Sequence, residues 1–428
     1  MLRFRRFAIT LFTVFVTFFC GCITGAETVT NEVSPETEAL SSGSTRTLSD
    51  LMTVVTKENC SDYDFTEKAM EYLTIIGEQY PNRSSSEDGT DNVHDEFGNW
   101  LLKELVACGY DPGQIEEQPF TGKSMFDTPV EGRNIILTVP GQMEGQIIVC
   151  AHYDGSGLGD NGSGVALLLA TAAGLVDASP QYTIKYIFFD GEEEGKVGSR
   201  HYAGQMSEED VASTLYLINC DALVFGDFCN IYGGAYGDEY DVDFLAFVEG
   251  EVIQEPRIRE REGYDFAADI AEQLGFRVYR TEDLEGYYEK NGHGMEPQED
   301  AFFTNPWTYA HPAPKNKEAV APSPATMGGS DQAPFAERGI PYIYFEAANW
   351  WAEGTDPNTA YVGYNETYDE SKGVGGQFMN TDYDTLENLI RFFPHRAENH
   401  YRMYSPLLSA LLLTTPGNRG DQEQCNGV

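Results

Sequence analysis

Apolar residues recur along this chain with two different periods. Helical spacing runs through Phe65–Tyr80, Val93–Cys108, Gly164–Leu175, Tyr264–Leu274, Thr385–Phe393 and a closing amphipathic stretch, Glu398–Leu413. Short alternating or continuous apolar runs lie at Asn134–Val139, Gln146–His152, Thr183–Asp190, Leu215–Asp221, Phe276–Tyr279 and Pro341–Phe345. Strands of this kind with helices between them predict an α/β fold: a mostly parallel central sheet with helices on both faces. Between two of these runs lies the long stretch 222–329. Its last part, Phe302–Thr326, is dense in Pro, Tyr and Trp and predicts loops over the site.

The ends read differently. Arg3, Arg5 and Arg6 precede an apolar run from Phe7 to Phe19 and then small residues, the pattern of an export signal over 1–26. Two cleavage outcomes compete. Phe19-Cys20-Gly21-Cys22 resembles a bacterial lipoprotein box and would leave a lipid anchor on Cys22, the one route to a membrane; Thr24-Gly25-Ala26 would suit secretion. Residues 27–48, rich in Thr, Ser and Glu, predict a flexible linker. A domain over 49–416 and a disordered tail over 417–428 complete the division.

Charge narrows the partners. A formal charge of −42, from 27 basic against 69 acidic residues, excludes nucleic acid, whose binding depends on Lys and Arg at phosphates. Six cysteines follow Cys22 without any CxxC pair. Cys150 and Cys220 sit inside apolar runs, where a buried free thiol is expected.

Three of the apolar runs end in residues that bind metals. IIVCAHYD ends in His152 and Asp154, YIFFDGEEEG in Glu192 and Glu193, and YLINCD in Asp221. Asp160, in GDNGSG, lies just before a helix. Ligands of open α/β sheets bind beyond the carboxyl ends of the strands, so these side chains are expected to meet there. Two divalent cations about 3.5–4 Å apart bind both sides of a reacting carbonyl and acidify a bridging water. Asp160 suits the bridge, with His152 and Asp221 on one cation and Glu193 on the other. Glu192 is left to take the proton and pass it to a leaving amine. Asp154, two residues past His152, would point the same way and orient the imidazole if the strand extends that far.

The segments HYDGSGLGDNGSGVA, FFDGEEEGKVGSRHYA, INCD, GGSDQAPFAERGIPYIYFE and NTDYDTLENL resemble, in order, the motifs of the family-28 metallopeptidases. That family includes bacterial co-catalytic zinc aminopeptidases and the related glutaminyl cyclases. The resemblance implies a zinc-aminopeptidase-like three-layer sandwich and an exopeptidase acting on peptide or protein substrates. It also implies His152, Asp160, Glu193 and Asp221 as zinc ligands, Glu192 as general base, and a cis peptide at Asp160-Asn161. Two departures stand out. Asn380-Thr381 replaces the family's late His-Thr, leaving Asn380 as a weak ligand at a second site that would suit a harder ion. Ser330-Asp331-Gln332 replaces Ser-Asp-His. A single-metal glutaminyl cyclase-like acyltransferase and a non-catalytic peptide-binding lipoprotein are the alternative readings. His293 and His311 are candidate substitute ligands, and Trp307, Tyr309, Trp350 and Trp351 candidate pocket residues. Triplets at Asn82, Asn161 and Asn365 match the glycosylation pattern.

Overall fold

The computed structural model describes residues 48–85, 93–234, 262–280, 298–304, 330–348 and 381–417. Among the described residues eleven strands are present: β1 (Leu51–Thr53), β2 (Ile115–Lys123), β3 (Pro129–Val139), β4 (Gln146–His152), β5 (Thr183–Phe189), β6 (Thr214–Cys220), β7 (Phe228–Gly234), β8 (Arg277–Tyr279), β9 (Gln298–Thr304), β10 (Tyr342–Ala348) and β11 (Thr414–Pro416). The helices are α1 (Thr66–Gln79), α2 (His94–Ala107), α3 (Gly162–Gly174), α4 (Val197–Gln205), α5 (Glu208–Ser213), α6 (Glu262–Gln273), α7 (Ala333–Ala336), α8 (Leu386–Phe392) and α9 (Arg396–Leu412).

Nine strands form one sheet in the order β2-β3-β5-β4-β6-β10-β7-β9-β8. Its centre, β5-β4-β6-β10, is parallel. The β2–β3 hairpin runs antiparallel at one edge, and β7 enters antiparallel beside β10. The other two strands pair a short ribbon, β1 with β11, which brings Leu51 against Pro416.

Continuous apolar sequence marks strands buried on both faces, and β4 meets that condition at all seven positions. Ile147, Val149 and Ala151 face a core shared with α1, α2, α3, α6 and α9. Ile148 and Cys150 face a second core with Tyr202 and Ala203 of α4 and Phe335 and Ala336 of α7. The result is the three-layer sandwich expected from the alternation of elements. Helix α3 is buried all round, from Gly162 to Ala172. Such burial is worth about 1.5–3 kcal/mol for each large aliphatic side chain, which anchors α3 against the strand ends that carry the acidic residues.

Within 222–329 the expected helix and strand are present as α6 and β8, but two further strands, β7 and β9, are inner strands of the sheet, and β9 takes in Phe302, where loops were expected. Phe228–Gly234 contains Asn230 and a glycine pair, and Gln298–Asp300 is polar, so neither shows a clean period. Pairing supplies what local sequence lacks, β7 against β10 and β9 between β7 and β8. Residues 305–326 lie outside the described residues.

A Cβ on Gly164 would collide with the Cys220 carbonyl oxygen, whereas one on Gly204 meets nothing within 4 Å. Gly164→Ala is therefore expected to cost about 1–3 kcal/mol by pushing α3 off the end of β6. Gly204→Ala in α4 is expected to gain about 0.5–1 kcal/mol. Urea midpoints of the two variants test the pair; a Gly164→Ala chain as stable as the parent would contradict the packing.

Candidate metal centre

Because β5, β4 and β6 are parallel neighbours, their carboxyl ends lie side by side. β4 stops at His152. The chain leaving β5 presents Glu192 and Glu193, and the residue after β6 is Asp221. Asp160 arrives from the loop before α3, through a cis peptide to Asn161 as the resemblance implied. Asn161 then caps α3: its side chain accepts from Gly164 N at 2.9 Å and donates to the Cys220 carbonyl at 2.8 Å. It is fully buried, which removes it as a glycosylation site.

The geometry brings His152, Asp160 and Asp221 together. Their ligand atoms all lie within 4.8 Å of one another, and all three residues are buried. His152 Nε2 is 3.0 Å from Asp160 Oδ1 and 3.4 Å from Asp221 Oδ1. Neither His152 nitrogen, nor Asp221 Oδ1, nor Glu193 Oε1 has a hydrogen-bond partner. Buried polar atoms are ordinarily paired, and here two imidazole nitrogens and one oxygen from each of two carboxylates are left for another partner. That donor set suits a divalent cation of the zinc type. Glu193 is not one of the tight trio; its Oε1 lies where a Cβ on Gly155 would meet it at 3.1 Å.

The strand ends at His152, and Asp154, two residues on, still faces the imidazole: its Oδ1 lies 3.5 Å from His152 Nδ1. Its carboxylate also accepts from the backbone N–H groups of Glu192 at 3.1 Å and Glu193 at 3.3 Å. Asp154 thus holds the turn that presents both glutamates.

Asp221 is held from the β10 side. Ser330 Oγ donates to Asp221 Oδ2 at 2.7 Å, and Asn219 Nδ2 donates to both Ser330 Oγ and Gln332 Oε1. Gln332, where the family pattern has His, therefore belongs to a buried hydrogen-bond chain ending on Asp221. Asn380, His293, His311, Trp307, Tyr309, Trp350, Trp351, Asn365 and Cys22 lie outside the described residues. Two residues escaped the sequence reading. Arg83, noticed only inside a glycosylation triplet, is fully buried behind the loop carrying Asp160. Asp384, quoted within NTDYDTLENL, reaches that same loop.

Residues 134–256, which include every one of these strand-end residues, match peptidase family M28. This segment resembles the M28 peptidases. An Escherichia coli relative, the alkaline phosphatase isozyme conversion protein, is 31% identical over 116 residues, covering 23% of this chain and 34% of the relative. A Pseudomonas aeruginosa aminopeptidase is 34% identical over 114 residues, covering 25% of this chain and 21% of the relative. The chain thus spans about a third or less of the length of these two relatives. A solved Zn-dependent exopeptidase from Parabacteroides distasonis aligns over 82% of this chain and 98% of its own, at 16% identity and a TM-score of 0.47.

Electrostatics in the M28 region follow from crowding. Glu192 and Glu193 are half-buried, yet enough protein surrounds both carboxyls to perturb them. Desolvation pushes Glu192 well above the usual range, His152 only partly opposing it. Desolvation, then Asp160, brings Glu193 up to about 8. Burial takes Asp331 to about 7. Burial opposes a charge on His152, but Asp221 leads the carboxylates that outweigh it, and the imidazole is pushed well above its ordinary value. Burial would also raise Asp221; His152 and the hydrogen bond from Ser330 reverse this and hold it low.

A carboxyl with a raised folded-state pKa keeps its proton longer in the folded chain, so stability falls as pH climbs from the unfolded toward the folded value. His152, raised likewise, adds the same slope above its ordinary value, while Asp221 acts only below the carboxylate range. The metal-free protein is therefore expected to lose stability between about pH 5 and about pH 8. Saturating Zn²⁺, which binds deprotonated ligands, is expected to flatten or reverse that slope. Urea midpoints across this range, with and without the cation, decide it; a metal-free midpoint that rises with pH would contradict the crowded-acid account.

Proposed function

We propose that this chain is an exported, metal-dependent aminopeptidase that removes N-terminal residues from peptides. The observation that carries the reading is the buried trio of His152, Asp160 and Asp221, whose ligand atoms all lie within 4.8 Å of one another beside Glu192 and Glu193. His152, Asp160 and Asp221 would hold a divalent cation, zinc by the chemistry of the donors. Asp160 and Glu193, with Asn380 as a weak ligand, would hold a second one, for which an amide oxygen favours a harder ion. When bound, such a cation polarises a carbonyl oxygen and makes water more acidic.

The chain's own groups supply the rest. Glu192, its carboxylate kept basic by desolvation, takes a proton from the attacking water and delivers it to the departing amine. Asp154 fixes the backbone of Glu192 and Glu193, so the base and the ligand beside it move as one unit. The surplus of carboxylates attracts the free ammonium of a peptide N-terminus, which favours an aminopeptidase over a carboxypeptidase. The name of the Pseudomonas aeruginosa relative supports the same choice. Export rests on the basic and apolar start of the sequence, with Cys22 as lipid carrier; the described residues contain no helix long and apolar enough to cross a membrane. Elements from Leu48 to Pro416 support one peptidase domain over 49–416.

Glu192→Gln is expected to retain metal, measured by elemental analysis, and to lose turnover of aminoacyl-anilides roughly 10²- to 10⁴-fold. Near-normal turnover in that variant would remove Glu192 from the chemistry. Release of ammonia from an N-terminal glutaminyl peptide, in place of a free amino acid, would replace hydrolysis with cyclisation.

A further inference from the structure

The loop that delivers Asp160 ends three successive backbone N–H groups on one distant residue. Leu158 N donates to the Asp384 carbonyl at 3.1 Å, Gly159 N to Asp384 Oδ1 at 2.6 Å, and Asp160 N to Asp384 Oδ2 at 3.4 Å. Asp384 is buried, at 3% exposure. Consecutive amides that converge on an anion form a cradle of fixed partial charge. The loop's glycines make room for it: a Cβ on Gly157 would collide with Asp384 Oδ2, and one on Gly159 would meet Oδ1 at 3.2 Å. Arg83 closes the loop from behind, with Nε on the Tyr153 carbonyl at 3.1 Å and Nη2 on that of Gly157 at 2.6 Å. Among the acids that support its charge against burial, Asp384 is the foremost.

From this cradle we infer that Asp384 is a positioning residue, which fixes the backbone of Asp160 at the place where its carboxylate meets His152 and Asp221. The inference rests on the reading of Asp160 as a metal ligand. Asp384 is itself held rigidly, since its N–H donates to Thr381 O at 3.0 Å and the next residue, Thr385, caps α8. The backbone amide of Asp160 is part of the cradle, so withdrawing the Asp384 carboxylate frees the very residue that carries the ligand. This task is independent of whether residue 380 is histidine or asparagine. The motif NTDYD therefore retains a job at the site although its first residue departs from the family pattern.

Zn²⁺ affinity of the purified chain, measured by chelator competition well below the unfolding transition, tests the inference. Asp384→Ala is expected to weaken binding about 10- to 100-fold, the usual effect of losing a group that orients a ligand. Asp384→Asn still accepts from Gly159 N but turns an amine toward Asp160 N–H. Its expected loss is smaller, roughly 2- to 10-fold, the worth of one hydrogen bond. Affinities of both variants equal to that of the parent would overturn the inference. If Asp384→Ala does not fold, parental affinity in Asp384→Asn alone overturns it. Asp160→Ala is the separate check on the underlying reading: binding lost there and kept in the Asp384 variants sinks only the positioning role, whereas binding kept in Asp160→Ala sinks the metal site itself.

Discussion

Carboxylates do not gather in a protein interior unless the backbone forces them to. His152, Asp160 and Asp221 meet with 3.0 and 3.4 Å separations at Nε2, and both His152 nitrogens and Asp221 Oδ1 have no hydrogen-bond partner. Left free, Asp160 and Asp221 would swing apart, since two buried anions in a poorly polarisable medium repel by several kcal/mol. Three adjacent parallel strands prevent this. Each ends at the same edge of the sheet, and each is packed on both faces, so its last side chain has little freedom to retreat.

The same edge is fastened a second time through backbone amides and hydroxyls. Asp154 accepts from the N–H groups of Glu192 and Glu193, Ser330 donates to Asp221, and Asn161 ties the start of α3 to the end of β6. None of these fasteners is itself one of the converging trio. Carboxylates that would otherwise repel are thus held by their supports rather than by one another, and the crowded acids respond by keeping their protons to unusually high pH.

Much of this could be read in the sequence because the strands that matter are the apolar ones. QIIVCAH, TIKYIFF and TLYLINC are unambiguous, and the polar residues just past them stand out by contrast. β7 and β9 were illegible because FCNIYGG and QEDAFFT owe their strand form to neighbours far away in sequence. Asp154 was legible as a neighbour of His152, but its hold on the backbone of Glu192 and Glu193 was not, since main-chain partners leave no trace in sequence. Arg83 and Asp384 were missed for a related reason. Their partners are main-chain atoms, which every residue possesses and no motif advertises.

One of those contacts has a bearing on how the molecule comes into being. The hydrogen bond between Gly159 and Asp384 joins positions 225 residues apart. Contacts so distant along the chain form only after a large loop has closed, at considerable entropic cost and late in folding. During synthesis, the strand ends bearing His152, Glu192 and Asp221 are complete long before residue 384 leaves the ribosome. A nascent chain therefore carries the acids at those strand ends before it has the fastener for Asp160, and its cation-binding geometry matures only once residue 384 has been added.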